Sequence, residues 1–354
     1  MTPVRPILAL ALLGLPGSLA AQSQAAGTDS VATAELLQRP EVARYLRYFT
    51  GPGRDRMSQW LTRGTRYRSL IASGLEREGL PADFGFLPII ESGFSPTAVS
   101  RAGAAGIWQF IPETARAYGL RVDDWVDERR DPDRATDAAV RHIRDLRRTF
   151  GDPLLAAAAY NGGTGRVSRG LARLADSTRG FFSLAQRGLL AEETRNYVPQ
   201  FLAAAEIGRN PDRYGFAVDS LERPAVDSVR VDRAIDLTRA ERALGLDRTT
   251  LAGLNPHFFR GVTPPGGSWL RIPAGFGADV TARLAALPSV VLARHERRAA
   301  ALGALVWVKR GETVRDVARR HGVTEGSLRR INALPAWYRL RPGQALRLPA
   351  AGTA

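Results

Sequence analysis

Apolar residues recur at three- and four-residue steps through the first half of the chain, then give way to short alternating runs. Met57, Trp60, Leu61, Tyr67, Leu70, Ile71 and Leu75 share one face of a predicted helix that Gly79 and Pro81 end. A second predicted helix starts near Asp133, read as its cap, and turns Ala139, Val140, Ile143, Leu146 and Phe150 inward. Gly151 and Pro153 punctuate it, and PLLAAAAYN opens a third. A fourth, over about 196–208, stops at Asn210-Pro211. Residues 39–215 therefore read as one all-α block with almost no strand alternation. Beyond Tyr214, VDSVRVDRAI, SWLRIP, ALVWVKR and ALRLP read as strands around short helical stretches.

An internal repeat organises that second half. Residues 237–255 lie over 314–332 at an offset of 77, which sets Leu237 on Val314, Gly245 on Gly322, Leu251 on Leu328 and Asn255 on Asn332. The same offset sets Val229 on Val306, and the copies close on Ile272-Pro273 and Leu348-Pro349. Each copy predicts a βααβ module of roughly 45 residues, over 226–273 and 304–349, with 274–303 as a connector. The fold class expected is α+β and multidomain.

The N-terminus adds a destination. Arg5 precedes an apolar run, and Ser18, Ala20 and Ala21 follow it, the pattern of a secretory signal over 1–21 and too short for a permanent membrane span. Residues 22–38 are small and polar and read as a linker. The mature chain is expected to be exported, periplasmic or associated with the cell wall, with no stable membrane insertion. It has no cysteine, which excludes disulfides, a lipid-bearing cysteine, thiolate metal sites and thiol nucleophiles. His142, His257, His295 and His321 lack ligand spacing, so no metal and no cofactor is expected. The net charge is +15, carried almost wholly by arginine, since Lys309 is the single lysine. Such a chain suits nucleic acid, anionic lipid or an anionic extracytoplasmic polymer, and the arginines do not gather into a nucleic-acid motif.

The chemistry centres on FLPIIESGFSPTAVSRAGAAGIWQF, residues 86–110. Glu91 follows Phe86, Leu87, Ile89 and Ile90, and Ile107, Trp108 and Phe110 come after the small-residue stretch. A carboxylate against such surfaces is costly to ionise, so its pKa should rise and suit it to act as a general acid on a glycosidic oxygen. A structural glutamate paired with an arginine is the competing reading. No Asp or Glu lies between Glu91 and Glu113. Common glycosidases use two carboxylates, so a sugar-cleaving site with one implies that the substrate supplies the nucleophile.

ESGFSPTAVS (91–100), AAGIWQFIPETA (104–115) and AAYNGG (158–163) resemble three signatures of the soluble lytic transglycosylase family, and DERRDP (127–132) and TRNYVP (194–199) agree with it. The resemblance covers about 80–215 and implies an all-α, lysozyme-like catalytic domain. VKRGETV (308–314), Gly322-Val323, Ile331-Asn332 and RPGQAL (341–346) resemble the LysM module, which binds glycans containing N-acetylglucosamine; the copy at 226–273 resembles a degenerate relative. Glycan strands of peptidoglycan are the implied partner, and nucleic acid is not. The family cleaves the β-1,4 bond between N-acetylmuramic acid and N-acetylglucosamine. Glu91 would protonate the leaving oxygen, the 2-acetamido group would help stabilise the oxocarbenium-like state, and Glu91 would then take the C6 hydroxyl proton. The product carries a 1,6-anhydro ring. The resemblance also implies substrate contacts from Ser100, Gly106, Gln109, Tyr160, Asn161 and Tyr197, with Gly103 and Gly106 letting backbone approach the glycan. A hydrolase like goose-type lysozyme and a non-catalytic wall-binding protein are the alternatives.

Overall fold

Helices form where the apolar periodicity places them, with three instructive departures. The computed structural model describes residues 30–175, 178–277, 279–290, 305–309, 311–332, 334–335, 338–340 and 343–348. The expected leader at 1–21 and His295 lie outside them. The N-terminal block holds α1 (Ala34–Leu37), α2 (Pro40–Thr50), α3 (Arg54–Thr65), α4 (Arg68–Arg77), α5 (Leu87–Ser92), α6 (Pro112–Ala117), α7 (Pro132–Phe150), α8 (Pro153–Gly162), α9 (Thr164–Leu171), α10 (Phe181–Gln186) and α11 (Glu192–Arg209). The alanine-rich α8 is buried from Leu154 to Ala159 and packs against both α7 and α11. Alanine side chains let those backbones approach closely, which sets the spacing on which the site depends.

The first departure is a break. The helix read through Met57 to Leu75 is two helices, α3 and α4. Thr65 turns its hydroxyl back to the Thr62 carbonyl at 2.7 Å, and Tyr67 leaves the helical path to stack on Phe94, ring centroids 6.3 Å apart. The second concerns a cap. α7 is capped by Asp131, not Asp133: the Asp131 side chain accepts from the Asp133 and Arg134 amides at 3.0 and 3.3 Å. Pro132 has no N–H to offer and its φ suits the first helical position, so the cap falls just before it. The third is the linker, whose second half belongs to the fold. Val31 and Ala32 are buried, and the Ala32 amide donates to the buried Asp83 carboxylate at 2.9 Å.

Both repeats adopt the βααβ order. In the first, β1 (Val226–Val231) pairs antiparallel with β2 (Ser268–Pro273), Val229 opposite Leu270, with α12 (Leu237–Leu244) and α13 (Thr250–Leu254) between them. In the second, β3 (Leu305–Trp307) pairs antiparallel with β4 (Ala345–Arg347), and helices Val314–Arg320 and Glu325–Ile331 intervene. The offset survives in the elements: Leu237 and Val314 open the first helices, Ser268 and Ala345 the returning strands. Asn255 and Asn332 recur for a reason. Each side-chain amide donates to the carbonyl four residues back, and Asn255 also bonds both backbone groups of Arg271, tying helix to strand.

Residues 274–290, expected as connector, pack with the first module, since Val280 and Leu284 of α14 (Val280–Ala285) are buried in its core; 291–303 lie outside the described residues. This module is docked on the helical block. Val126 is buried in the module's core, the Asp127 amide donates to the His257 carbonyl at 3.0 Å, and Arg271 meets the Asp131 carboxylate at 2.8 Å.

Candidate active site

Three elements converge on Glu91. It sits in the last turn of α5, whose axis is pinned by buried Leu87, Pro88 and Ile89 and whose end is closed by Gly93 in the left-handed conformation, φ 57°. From α11, the Tyr197 hydroxyl donates to Glu91 Oε1 at 2.5 Å. No arginine pairs with Glu91 among the described residues, so the competing structural reading loses its partner. Glu91 as a whole residue is half-buried, and protein closely surrounds its carboxyl. Burial pushes its pKa up, the Tyr197 hydrogen bond pulls it back, and the Glu193 charge raises it further, to about 7. Burial and then the Glu91 charge hold the Tyr197 and Tyr160 phenols well above their ordinary range, so both stay protonated and able to donate.

Tyr160, in the last turn of α8, donates not to Glu91 but to the Trp108 carbonyl at 2.8 Å. Its role in the structure is to hold the loop after Glu91 in place. His142 packs at a tilt against Tyr160 with centroids 5.3 Å apart, and burial lowers its pKa to about 4, so it serves as a neutral ring. Asn161 lies beside Tyr160 but points to α11, donating to Glu193 at 3.2 Å and accepting from Thr194 at 2.8 Å.

Ser100, Gly106 and Gln109 lie on the loop between α5 and α6. Isolated antiparallel bridges, Val99 with Ala105 and Ala105 with Phe110, tie it into a small β-turned lobe that no alternation had announced. The Ser100 hydroxyl accepts from the Ala104 amide at 3.0 Å, and Gln109, itself at φ 49°, donates to the Gly106 carbonyl at 2.8 Å. Gly106 is obligatory: at φ 82° a Cβ would stand 1.7 Å from the Arg129 carbonyl oxygen. Glu91, Tyr197 and Tyr160 are thus brought together. Asn161 shares α8 with Tyr160 and directs its hydrogen bonds to α11, while Ser100 and Gln109 sit on the loop after α5 and bond within it.

Sequence reasoning missed the residues that hold this lobe. Arg129 and Asp127 form a buried two-pronged pair at 2.8 and 2.9 Å, and the remaining Arg129 nitrogen donates to the Gly103 and Phe110 carbonyls at 2.7 and 3.0 Å. Ser92 donates to the Ile107 carbonyl at 2.9 Å from the other side. Both were visible inside quoted motifs, without any pattern that marked them as anchors. The indole of Trp307, from the second module, lies against Gly103, where a Cβ would stand 2.6 Å from Cη2.

An acid held near neutrality by burial thus lies between two protonated phenols and a small β-lobe, in a chain that also carries two βααβ modules. Residues 70–178 match the transglycosylase SLT domain, residues 225–289 the LysM-like domain of lytic transglycosylase MltD, and residues 307–349 the LysM domain. Over 304 aligned residues it is 32% identical to membrane-bound lytic murein transglycosylase D of Escherichia coli strain K12, covering 82% of this chain and 65% of that protein's own length. It is also 42% identical over 118 residues to peptidoglycan transglycosylase gp16 of Escherichia phage T7, covering 33% of this chain and 8% of that protein. Among solved structures, an inactive mutant of lytic transglycosylase Slt from Pseudomonas aeruginosa matches with TM-score 0.35 and 25% identity, over 44% of this chain and 25% of that one.

Proposed function

We infer that this protein is a peptidoglycan lytic transglycosylase that cleaves the bond between N-acetylmuramic acid and N-acetylglucosamine with Glu91 as sole acid and base. The observation that carries the reading is the Glu91 carboxyl, raised to about 7 by burial and bonded to a phenol, not a guanidinium. In that state it donates its proton to the glycosidic oxygen as the C1–O bond breaks. The carboxylate left behind is stabilised by the Tyr197 hydroxyl and by the neighbouring charge deficit at C1. It then accepts the proton of the C6 hydroxyl as O6 bonds to C1, which closes the 1,6-anhydro ring and returns Glu91 to its starting state. No water enters the balance. Ser100, Gly106, Gln109 and Asn161 are assigned to the glycan path on the strength of the motifs that contain them.

A hydrolytic reading has one observation in its favour. Glu193 is a second carboxylate whose charge reaches Glu91, and a base there would activate water. Against it, Glu193 is exposed and occupied by Asn161 at 3.2 Å. The site of action fits the periplasm or cell wall, and no helix among the described residues is long and apolar enough to cross a membrane. Glu91→Gln keeps shape and loses the proton. It is expected to lower turnover of purified sacculi by at least about a hundredfold while sacculus pull-down stays within about twofold of wild type. Turnover within tenfold of wild type would sink the assignment.

A further inference from the structure

Between the helical block and the first LysM-like module lies a cavity of about 340 Å3. Pro96, Pro132, Pro224, Pro256 and Pro273 stand in its walls, and their fixed φ angles leave those stretches few alternative shapes, so the cavity is formed in advance. Three guanidiniums reach it, from Arg66, Arg223 and Arg271, against the single carboxylate of Asp133. Two of the three are already matched. Arg223 holds both oxygens of Asp133 at 2.9 and 2.8 Å, and Arg271 meets Asp131 at 2.8 Å. Arg66 has no ion pair among the described residues: its guanidinium hydrogen-bonds the Tyr67 side chain, while its Nε is buried with no hydrogen-bond partner. A buried donor left unmatched is costly, and a guanidinium fork fits a planar carboxylate.

We propose that this cavity is a subsite for the peptide stem of peptidoglycan, with Arg66 holding a stem carboxylate. The proposal rests on the peptidoglycan reading above and extends it from the sugar bond to the peptide. Its position suits the task. Pro96 is five positions beyond Glu91, which places it within about 18 Å along the chain. Tyr67, also in the wall, stacks on Phe94 three positions past Glu91. A stem of four extended residues spans about 14 Å, a length of the same order as that upper limit, which suits a stem hung on the muramic sugar at the scissile bond. Thr249 forms part of the opposite wall with φ 72°, a conformation β-branched residues seldom adopt and that its surroundings must hold.

The test titrates full-length protein with a sugar-free stem tetrapeptide, with its carboxylates free or amidated, by isothermal calorimetry. The free peptide is expected to bind and the amidated one to bind at least about tenfold more weakly. Arg66→Ala is expected to weaken the free peptide about tenfold and to lower by a similar factor the ratio of kcat/KM on stem-bearing over amidase-stripped sacculi. Gly253→Trp gives a second route. A Cβ at Gly253 meets nothing within 4 Å and the residue lines the cavity, so the indole fills the space without touching Arg66's charge, and it too should abolish peptide binding. No binding by wild type, equal binding of both peptides, or unchanged binding in a folded Gly253→Trp protein would each overturn the proposal. The catalytic reading is judged separately: peptide binding that depends on Arg66, in a protein that releases no anhydro ends, would leave the subsite standing and remove the chemistry.

Discussion

Tyr197 and Glu91 act as a pair, and the sign of their coupling is testable. The hydroxyl at 2.5 Å favours the carboxylate and so lowers a pKa that burial has raised to about 7. A general acid works only when protonated, so activity should fall as pH rises through that value. Tyr197→Phe removes the restraint, moves the Glu91 pKa up, and should shift the falling limb of the pH–rate profile to higher pH by about one unit, with lower maximal turnover. A limb that stays put or moves to lower pH contradicts this account of the acid. At this scale much was legible. An acid between apolar runs signals perturbed ionisation on its own, and the absence of another acid up to Glu113 narrows the chemistry. Glu193 was not legible, because its charge reaches Glu91 only through the packing of α11 on α5, a relation with no local pattern.

The elements explain why the lobe beside Glu91 stays put. A chain segment rich in glycine and alanine has little side-chain packing of its own, so it is held by polar anchors: Arg129 on the Gly103 and Phe110 carbonyls, Tyr160 on Trp108, Ser92 on Ile107. Arg129→Ala leaves the buried Asp127 carboxylate without its main partner. It should cost about 3–5 kcal/mol of stability, read as an earlier midpoint in urea unfolding with wild-type slope. A loss below about 1 kcal/mol would show that the pair does not support the lobe. Helix positions were readable because periodicity records which face is buried. The break at Tyr67 and the β-lobe were not, since each is set by a tertiary partner, the Phe94 ring in one case and the Arg129 fork in the other. The true cap of α7 was within reach, because a proline at the first helical position points to the residue before it.

Across the whole molecule, the two repeats differ in how they are placed and in the marks they keep. The first is fixed to the helical block through Val126, Asp131 and Arg271 and lends a wall to the cavity at Arg66. The second keeps the fuller set of LysM marks and suits a tethering role, which raises the local concentration of enzyme at the polymer. Deletion of 304–354 is therefore expected to weaken sacculus binding at least about tenfold, and added salt to weaken what remains, because an arginine-rich surface and a carboxylate-bearing polymer attract through screened charge. Unchanged binding after the deletion would remove that role. The repeat itself was legible from its 77-residue offset, whereas the docking was not, since Val126 sits in a loop of the other unit and its burial belongs to neither repeat pattern. The central claim is that the substrate's own C6 oxygen replaces water. Mass spectrometry of muropeptides released from sacculi by the wild-type chain and by Glu193→Gln measures this directly. Both should yield ends one water lighter than reducing ends. Reducing ends from the wild type, lost in Glu193→Gln, would contradict the account.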